Sequence, residues 1–164
     1  SDVYKRQGLM FHGPRFQPLK GVVATIETTS GTGIEARVNS IQDLPDPRLF
    51  NTRGKAIIPD LTSYPMLIES CFQAAGLTSM DLDSAESLPV GAKRILIAGE
   101  IPEGSLTVTS VRKGSETNGT FVHESVIRLD GSPIMRIDGL KMKKLRDLND
   151  DQRPGLAEYS GELA

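Results

Sequence analysis

The chain has 164 residues, 38% of them hydrophobic and 5% aromatic, which predicts one domain, or a piece of a larger one, with a largely aliphatic core. Lys and Arg number 19 against 21 Asp and Glu, and no basic run is interleaved with aromatic residues, so the sequence argues against nucleic-acid binding. No apolar run approaches the roughly 20 residues of a membrane span. Cys71 is the single cysteine of the sequence, which excludes an internal disulfide, and no signal peptide is apparent. We therefore expect a cytoplasmic protein without a membrane segment.

The N-terminal part predicts a leader without fold information, followed by a β-hairpin. Residues 1–7 resemble the translated end of a transposon used to prepare sequencing libraries, and we expect the native reading frame to begin near Gly8. The segment Gly21–Thr28 is rich in Val, Ile and Thr and predicts a strand. After a turn at residues 30–33, the alternating polarity of Ile34–Val38 predicts the second strand of the hairpin.

The segment Tyr64–Gly76 predicts a buried helix, because it is apolar over most of its circumference. Pro65 suits the first turn and the terminal glycine suits the stop. The helix carries one carboxylate, Glu69, with Gln73 on the same face one turn later. A charge on an apolar helix usually has a partner or a task, so Glu69 is the first candidate for chemistry. The alternative is that Glu69 lies on a solvent-facing polar stripe with Ser70 and Gln73 beside it.

The second half of the chain predicts an antiparallel sheet. A polar stretch at residues 78–87 is followed by segments with strand patterns, two of whose connections, at residues 118–119 and 130–131, are hairpin signals. The predicted strands are Lys93–Ala98, Ser105–Val111, Thr120–Leu129 and Pro133–Leu145. The polar residues 146–164 predict a linker or frayed tail, leaving residues 8–145 as the domain. The fold class is α+β, with a curved antiparallel sheet wrapped around one long buried helix, the hot-dog arrangement.

Four segments, in order, resemble motifs of the dehydratase domains of polyketide synthases or polyunsaturated-fatty-acid synthases. Phe11–Gln17 resembles the glycine–proline–aromatic signature that opens the C-terminal half of that domain. Tyr64–Gln73 is similar to its helix motif, in which Pro precedes an acid that is followed four residues later by Gln or His. Leu88–Ile95 resembles the start of the next strand, and Asp138–Met142 resembles the closing strand.

The resemblance implies the C-terminal half of a double hot-dog and a β-hydroxyacyl dehydratase activity. The N-terminal half of such a domain supplies a catalytic His in a His-x-x-x-Gly-x-x-x-x-Pro motif, and the C-terminal half supplies the acid. Neither His12 nor His123 is followed by Gly four residues later, so the base is missing from this chain. Glu69 stands where the family usually has Asp, and Gln73 would be its helper. The resemblance implies no cofactor of its own, since the substrate is carried on the phosphopantetheine of an acyl carrier protein.

The resemblance also implies substrate-binding residues along an acyl tunnel: Phe11, His12, Gly13, Pro14, Phe16, Tyr64 and Pro65. An ordinary loop position for His12, and core packing for Phe11 and Phe16, are the alternatives. The implied partners are the N-terminal hot-dog half, the acyl carrier protein and other synthase domains, with a homodimer possible for the half alone. Five basic residues could form a face that binds the acidic carrier protein, and a solvated strand edge explains them equally well: Arg112, Lys113, Lys141, Lys143 and Lys144.

Two other functions stay open at this stage: a non-catalytic unit that shapes a synthase or docks the carrier protein, and a single-unit hot-dog acyl-CoA thioesterase. Cys71, with no cationic neighbour in sequence, is expected to be packing. His123 lies in an alternating strand and is expected to face solvent or a partner. No Cys, His and acid grouping has metal-ligand spacing, so no metal is predicted.

Overall fold

The protein is represented by a computed structural model that describes residues 18–38, 59–98 and 104–150. These residues form one long helix and seven strands. The helix α1 is Pro59–Asp83, and the strands in chain order are β1 Leu19–Thr28, β2 Gly31–Val38, β3 Ala85–Gly91, β4 Arg94–Ile97, β5 Leu106–Glu116, β6 Thr120–Leu129 and β7 Ser132–Asp147. The hairpin β1–β2 and the strands β4 to β7 confirm the predicted strands, with shifted ends.

The strands form a single antiparallel sheet in the order β1-β2-β5-β6-β7-β3. The 16-residue β7 is long enough to pair with both β3 and β4, which lie one after the other along the same edge. The β6–β7 hairpin turns at Asp130 and Gly131, whose φ angles of 47° and 86° are the left-handed values that a tight two-residue turn requires. The predicted hairpin signal at this position is therefore confirmed.

The inner face of the sheet and the helix share one core. A row of directly paired residues, each at most 2% exposed, crosses four strands: Ala36, Val108, Ile127 and Met135. Small and medium side chains of α1 face this row, and Leu67, Cys71, Ala74 and Ala75 are fully buried. Since α1 contacts β2, β3, β5, β6 and β7, the sheet curls around the helix as the sequence predicts.

The helix is longer than predicted at both ends. It does not stop at Gly76 but continues to Asp83, where Ser84 adopts a φ of 48°. The extra turns include Thr78 and Ser79, which are fully buried. Their hydroxyl groups donate hydrogen bonds to backbone carbonyl oxygens one turn earlier, and this pairing makes their burial possible. Pro65 lies inside the helix rather than in its first turn, so that prediction was also wrong.

The polar stretch predicted after the helix is therefore part of the fold. Its second portion forms β3, an edge strand in which Pro89 and Gly91 obscure the usual alternation. At the other end of the domain, β7 runs through Asp147, and the buried Leu148 donates its N–H to the Ser84 carbonyl at 2.7 Å. The packed structure thus extends beyond Leu145, where the sequence suggested that the domain ends.

Candidate functional site

One stripe of α1 is open, and it carries Glu69. Between Met66 and Met80, three residues, Ile68, Glu69 and Phe72, are half-buried, while the others are buried. With 100° between successive residues, these three and the exposed Pro65 project from one side of the helix. We call Pro65, Ile68, Glu69 and Phe72 the open stripe. Glu69 is its single charged member.

The Glu69 carboxylate is held by the neighbouring amide. Gln73 Nε2 donates a hydrogen bond to Glu69 Oε1 at 2.9 Å, and Gln73 itself is only 3% exposed. Ser70 is buried and donates its hydroxyl to the Met66 carbonyl oxygen at 2.8 Å. The alternative of a solvent-facing polar stripe shared by Glu69 and Gln73 was therefore wrong, because Gln73 is inside the protein and the neighbours of Glu69 on the open stripe are apolar.

Of the predicted site residues, Glu69 and Gln73 are in contact, and Pro65 lies one turn earlier on the same stripe. The remaining predicted positions lie outside the described side chains: Phe11, His12, Gly13, Pro14, Phe16 and Tyr64. Their roles as substrate-binding residues stay predictions. Cys71 is fully buried, and burial raises the pKa of its thiol far above the ordinary value, in agreement with a packing role.

His123 occupies an unexpected position. It is fully buried on the inner face of β6, with Ser79 Oγ at 3.5 Å from Nε2 and Ser110 Oγ at 3.4 Å from Nδ1. Ser125 Oγ donates to Ser110 Oγ at 3.2 Å and extends this polar cluster. The prediction that His123 faces solvent or a partner was wrong: β6 turns His123 and Ser125 inward, where the hydroxyl groups satisfy the imidazole.

His123 is also electrostatically unsuited to act with Glu69. Burial and, to a smaller extent, the nearby positive charge of Arg112 lower its pKa to about 3. Its helix contact, Ser79, lies ten residues after Glu69, which corresponds to about 15 Å along the helix axis. Among the residues that the structure describes, no histidine therefore stands beside the Glu69 carboxylate.

The basic residues of the second half are paired with acids or carbonyls rather than presented as a free positive face. Lys141 contacts Glu116 at 2.7 Å, and Lys113 contacts Glu124 at 3.8 Å. The other three partners are Asp83 for Arg112, Asp147 for Lys144, and the Asn118 carbonyl oxygen for Lys143. This pairing gives no support to a basic surface for an acidic carrier protein.

Sequence reasoning missed the attachment of the end of α1 to the sheet. Arg112 of β5 binds Asp83 with both terminal nitrogens, one at 3.0 Å, and its guanidinium lies 4.2 Å from the centre of the Phe121 ring. Nothing in the spacing of these residues signals the contact. Within the described ranges, no group of three or more metal-binding side chains occurs, and no helix is long and apolar enough to cross a membrane.

Comparison with known proteins yields one family and a set of similar structures. A family model described as the polyketide synthase dehydratase N-terminal domain matches residues 1–152. The dehydratase domain of RzxB from Pseudomonas fluorescens is similar with a TM-score of 0.53 and 20% identity, over 85% of this chain and 46% of that one. The dehydratase domain of PpsC from Mycobacterium tuberculosis, solved in complex with C12:1-CoA, is similar with a TM-score of 0.51 and 24% identity, over 88% of this chain and 50% of that one. No curated protein matches.

The similar structures confirm the hot-dog fold predicted from the sequence. The chain spans about half the length of each of them. The family description names the N-terminal domain, whereas the motifs in this chain resemble those of the C-terminal half. The comparisons therefore do not confirm the C-terminal position, which stays a prediction from the motifs.

Proposed function

Because this chain belongs to the polyketide synthase dehydratase family, we propose that it is the acid-bearing half of a dehydratase domain. Its reaction is the removal of water from a β-hydroxyacyl thioester held on the phosphopantetheine of an acyl carrier protein. Glu69 is the general acid, Gln73 positions its carboxyl group, and a sister hot-dog unit with a catalytic histidine supplies the base.

The observation that carries this proposal is the Glu69–Gln73 pair on the open stripe. Glu69 is the single carboxylate of the open stripe, and a charge set among apolar side chains usually has a partner or a function. Here the buried Gln73 fixes one carboxyl oxygen at 2.9 Å, which restricts the side chain to one orientation. The apolar Ile68 and Phe72 beside it suit an acyl chain better than they suit water.

The proposed step divides the two proton transfers between the two units. The histidine of the sister unit removes the proton from the α-carbon, the α–β double bond forms, and the bond between the β-carbon and its oxygen breaks. The proton from Glu69 goes to the departing hydroxyl, which leaves as water. Glu is one methylene longer than the Asp usual in the family, and the hydrogen bond from Gln73 offsets part of its added freedom.

His123 supports the need for a second unit. It is the one histidine among the described residues, yet it is buried in the core and uncharged at neutral pH. It cannot approach an α-carbon bound at Glu69 without unfolding β6. The base of the reaction must therefore come from outside the described part of this chain.

The sheet edge opposite β1 supports pairing with such a unit. In β4, Ile95, Leu96 and Ile97 are 41%, 47% and 42% exposed, and the nearby Val90 of β3 is 60% exposed. An apolar edge strand that is open on both faces is a template for pairing with another sheet. We propose that the sister unit covers this edge, and that other synthase domains and the carrier protein act with the joined pair.

The test is a set of matched variants in the complete dehydratase, measured with a β-hydroxyacyl thioester. Glu69→Gln is expected to lower kcat by about 100-fold to 10,000-fold, because the proton donor is lost. Glu116→Gln, a surface carboxylate that contacts Lys141, is the control and is expected to retain wild-type turnover. Unchanged turnover in Glu69→Gln would contradict the acid role and favour a non-catalytic unit.

Gln73 requires a different readout because it acts through Glu69. Gln73→Ala is expected to lower kcat by roughly 10-fold with little change in KM, because the carboxyl group loses its orientation. Gln73→His, which keeps a hydrogen-bond donor at this position, is expected to recover most of the loss. Equal loss in both variants would indicate that Gln73 serves the fold rather than the acid.

A further inference from the structure

A groove lies on the outer face of the sheet, which is the face turned away from α1. It has a volume of about 450 Å³ and is lined by residues of β1, β2, β5 and β6. The directly paired Glu35, Thr109 and Val126 cross it. Each of these three is next in sequence to a member of the buried row that faces α1, so its side chain points to the opposite face of the sheet. The groove is therefore separate from the helix that carries Glu69.

The floor of the groove is largely apolar. It is formed by Thr109, Val111 and Val126, each of which is only 8% exposed. The turn end of the β1–β2 hairpin forms one wall, and glycines allow it to lie close against β5. A Cβ would lie 2.0 Å from a carbonyl oxygen of β5 at Gly31 and 1.9 Å from another at Gly33. Since the water-facing side of an antiparallel sheet is usually polar, this floor suits a covering apolar group.

The charge that remains available in the groove is negative. Three carboxylates line it, those of Glu27, Glu35 and Glu124, together with one cation, Arg128. Glu124 is already paired with basic residues of β5 and β7, and Arg128 donates a hydrogen bond to the Thr109 hydroxyl at 2.9 Å. Within the described ranges, Glu27 and Glu35 form no ion pair. Two uncompensated carboxylates against one guanidinium favour a cationic group and disfavour an acidic protein.

We propose that this groove docks an extended peptide segment of a neighbouring domain of the synthase, one that carries a lysine between apolar side chains. The apolar side chains cover Val111 and Val126, and the ammonium group reaches Glu27 and Glu35. The volume lies within the range of roughly 300–1,000 Å³ found for ligand sites. A small-molecule site usually encloses most of its ligand, whereas this groove is open to solvent and suits a segment bound along one side. The proposal does not depend on the role of Glu69.

A peptide titration of the complete dehydratase tests the chemistry of the groove. The probe is Gly-Val-Lys-Val-Gly with a neutral fluorophore, followed by fluorescence anisotropy, and Gly-Val-Glu-Val-Gly is its matched control. Glu27→Lys and Glu35→Lys are each expected to weaken binding of the lysine peptide by about 5-fold or more, because attraction becomes repulsion. Raising the ionic strength from about 0.1 M to about 1 M should also weaken it, since the Debye length falls from about 10 Å to about 3 Å.

The control substitution is Glu116→Lys, at a surface carboxylate that contacts Lys141 outside the groove, and it is expected to leave the affinity unchanged. Melting temperatures close to that of wild type show that the variants are folded. Binding of the glutamate peptide as tightly as the lysine peptide, equal affinities in all variants, or no binding of the lysine peptide would each overturn the proposal.

Cross-linking in the intact synthase tests the source of the segment. A carbodiimide couples a carboxylate to a lysine amine in direct contact with it, and the pair Glu116 and Lys141, 2.7 Å apart, is the internal reference. A link from Glu27 or Glu35 to a lysine of another domain is expected, and it should disappear when both are replaced by glutamine. Links confined to lysines of the dehydratase itself, or no link while the reference pair couples, would overturn the proposal.

Discussion

Replacing His123 with glutamine is expected to change how the stability of this domain depends on pH. In the folded protein, burial and Arg112 hold the pKa of His123 near 3, whereas the ordinary value of 6.5 applies when the chain is unfolded. Between these values the unfolded chain binds a proton that the folded protein excludes. Stability is therefore fully present above about pH 6.5 and is lost as the pH falls.

The size of the effect follows from the interval between the two pKa values. Each pH unit in this interval costs about 1.4 kcal/mol, so wild-type protein at pH 4 is expected to lose about 3 kcal/mol through His123 alone. Glutamine is neutral throughout and can still contact Ser79 or Ser110. The free energy of unfolding of the His123→Gln variant should therefore not fall with pH through this residue. At neutral pH the variant should be roughly 1 kcal/mol less stable than wild type, because its hydrogen bonds to the serines are imperfect.

The assay is urea unfolding of wild type and His123→Gln from pH 4 to pH 8, with His12→Gln as the matched control. Carboxylates titrate in all three proteins, so their contribution cancels in the differences. The difference in free energy of unfolding between wild type and His123→Gln should move by about 3 kcal/mol in favour of the variant as the pH falls. A difference that stays constant with pH would refute the buried, neutral histidine.

Three further substitutions test the fold. Ile127→Ala should lower the free energy of unfolding by about 2–5 kcal/mol in chemical denaturation, because Ile127 is fully buried in the cross-strand row; a loss below about 1 kcal/mol would contradict that packing. Gly131→Ala should lower the free energy of unfolding by about 1–2 kcal/mol in the same assay, since the φ of Gly131 is 86°. Gly114→Ala is the control, because Gly114 has equally open space and no positive φ, and it should lower stability less. Equal losses in the two variants would contradict a left-handed turn residue at position 131. Leu96→Lys should reduce self-association of this chain in sedimentation, whereas Thr25→Lys, an exposed position on β1 at the opposite edge of the sheet, should not. Equal self-association of the two variants would argue against β4 as the pairing edge.

Local chemistry explains what the sequence could predict. The pair Asp130 and Gly131 specifies a tight turn by itself, and so fixes the β6–β7 hairpin. The contact between Glu69 and Gln73 follows from their spacing on a helix, because residues four apart always meet on one face. The core of the candidate site was therefore predictable from a short stretch of sequence.

Tertiary compensation explains what the sequence could not predict. Thr78 and Ser79 look like the residues of a loop, yet their hydroxyl groups bond within the helix and are buried. His123 looks like a surface residue because the serines that satisfy it are distant in sequence. Arg112 and Asp83 meet across 29 positions, and no local pattern reports such a distance.

The central claim is that Glu69 carries the proton that leaves with the β-hydroxyl group, and oxygen exchange tests it most directly. The complete dehydratase is incubated with an enoyl thioester in water enriched in oxygen-18, and label in the β-hydroxyl position is followed by mass spectrometry. Wild type is expected to incorporate the label rapidly, and Glu69→Gln is expected to be slower by about 100-fold or more. Incorporation at the wild-type rate in Glu69→Gln would contradict the claim.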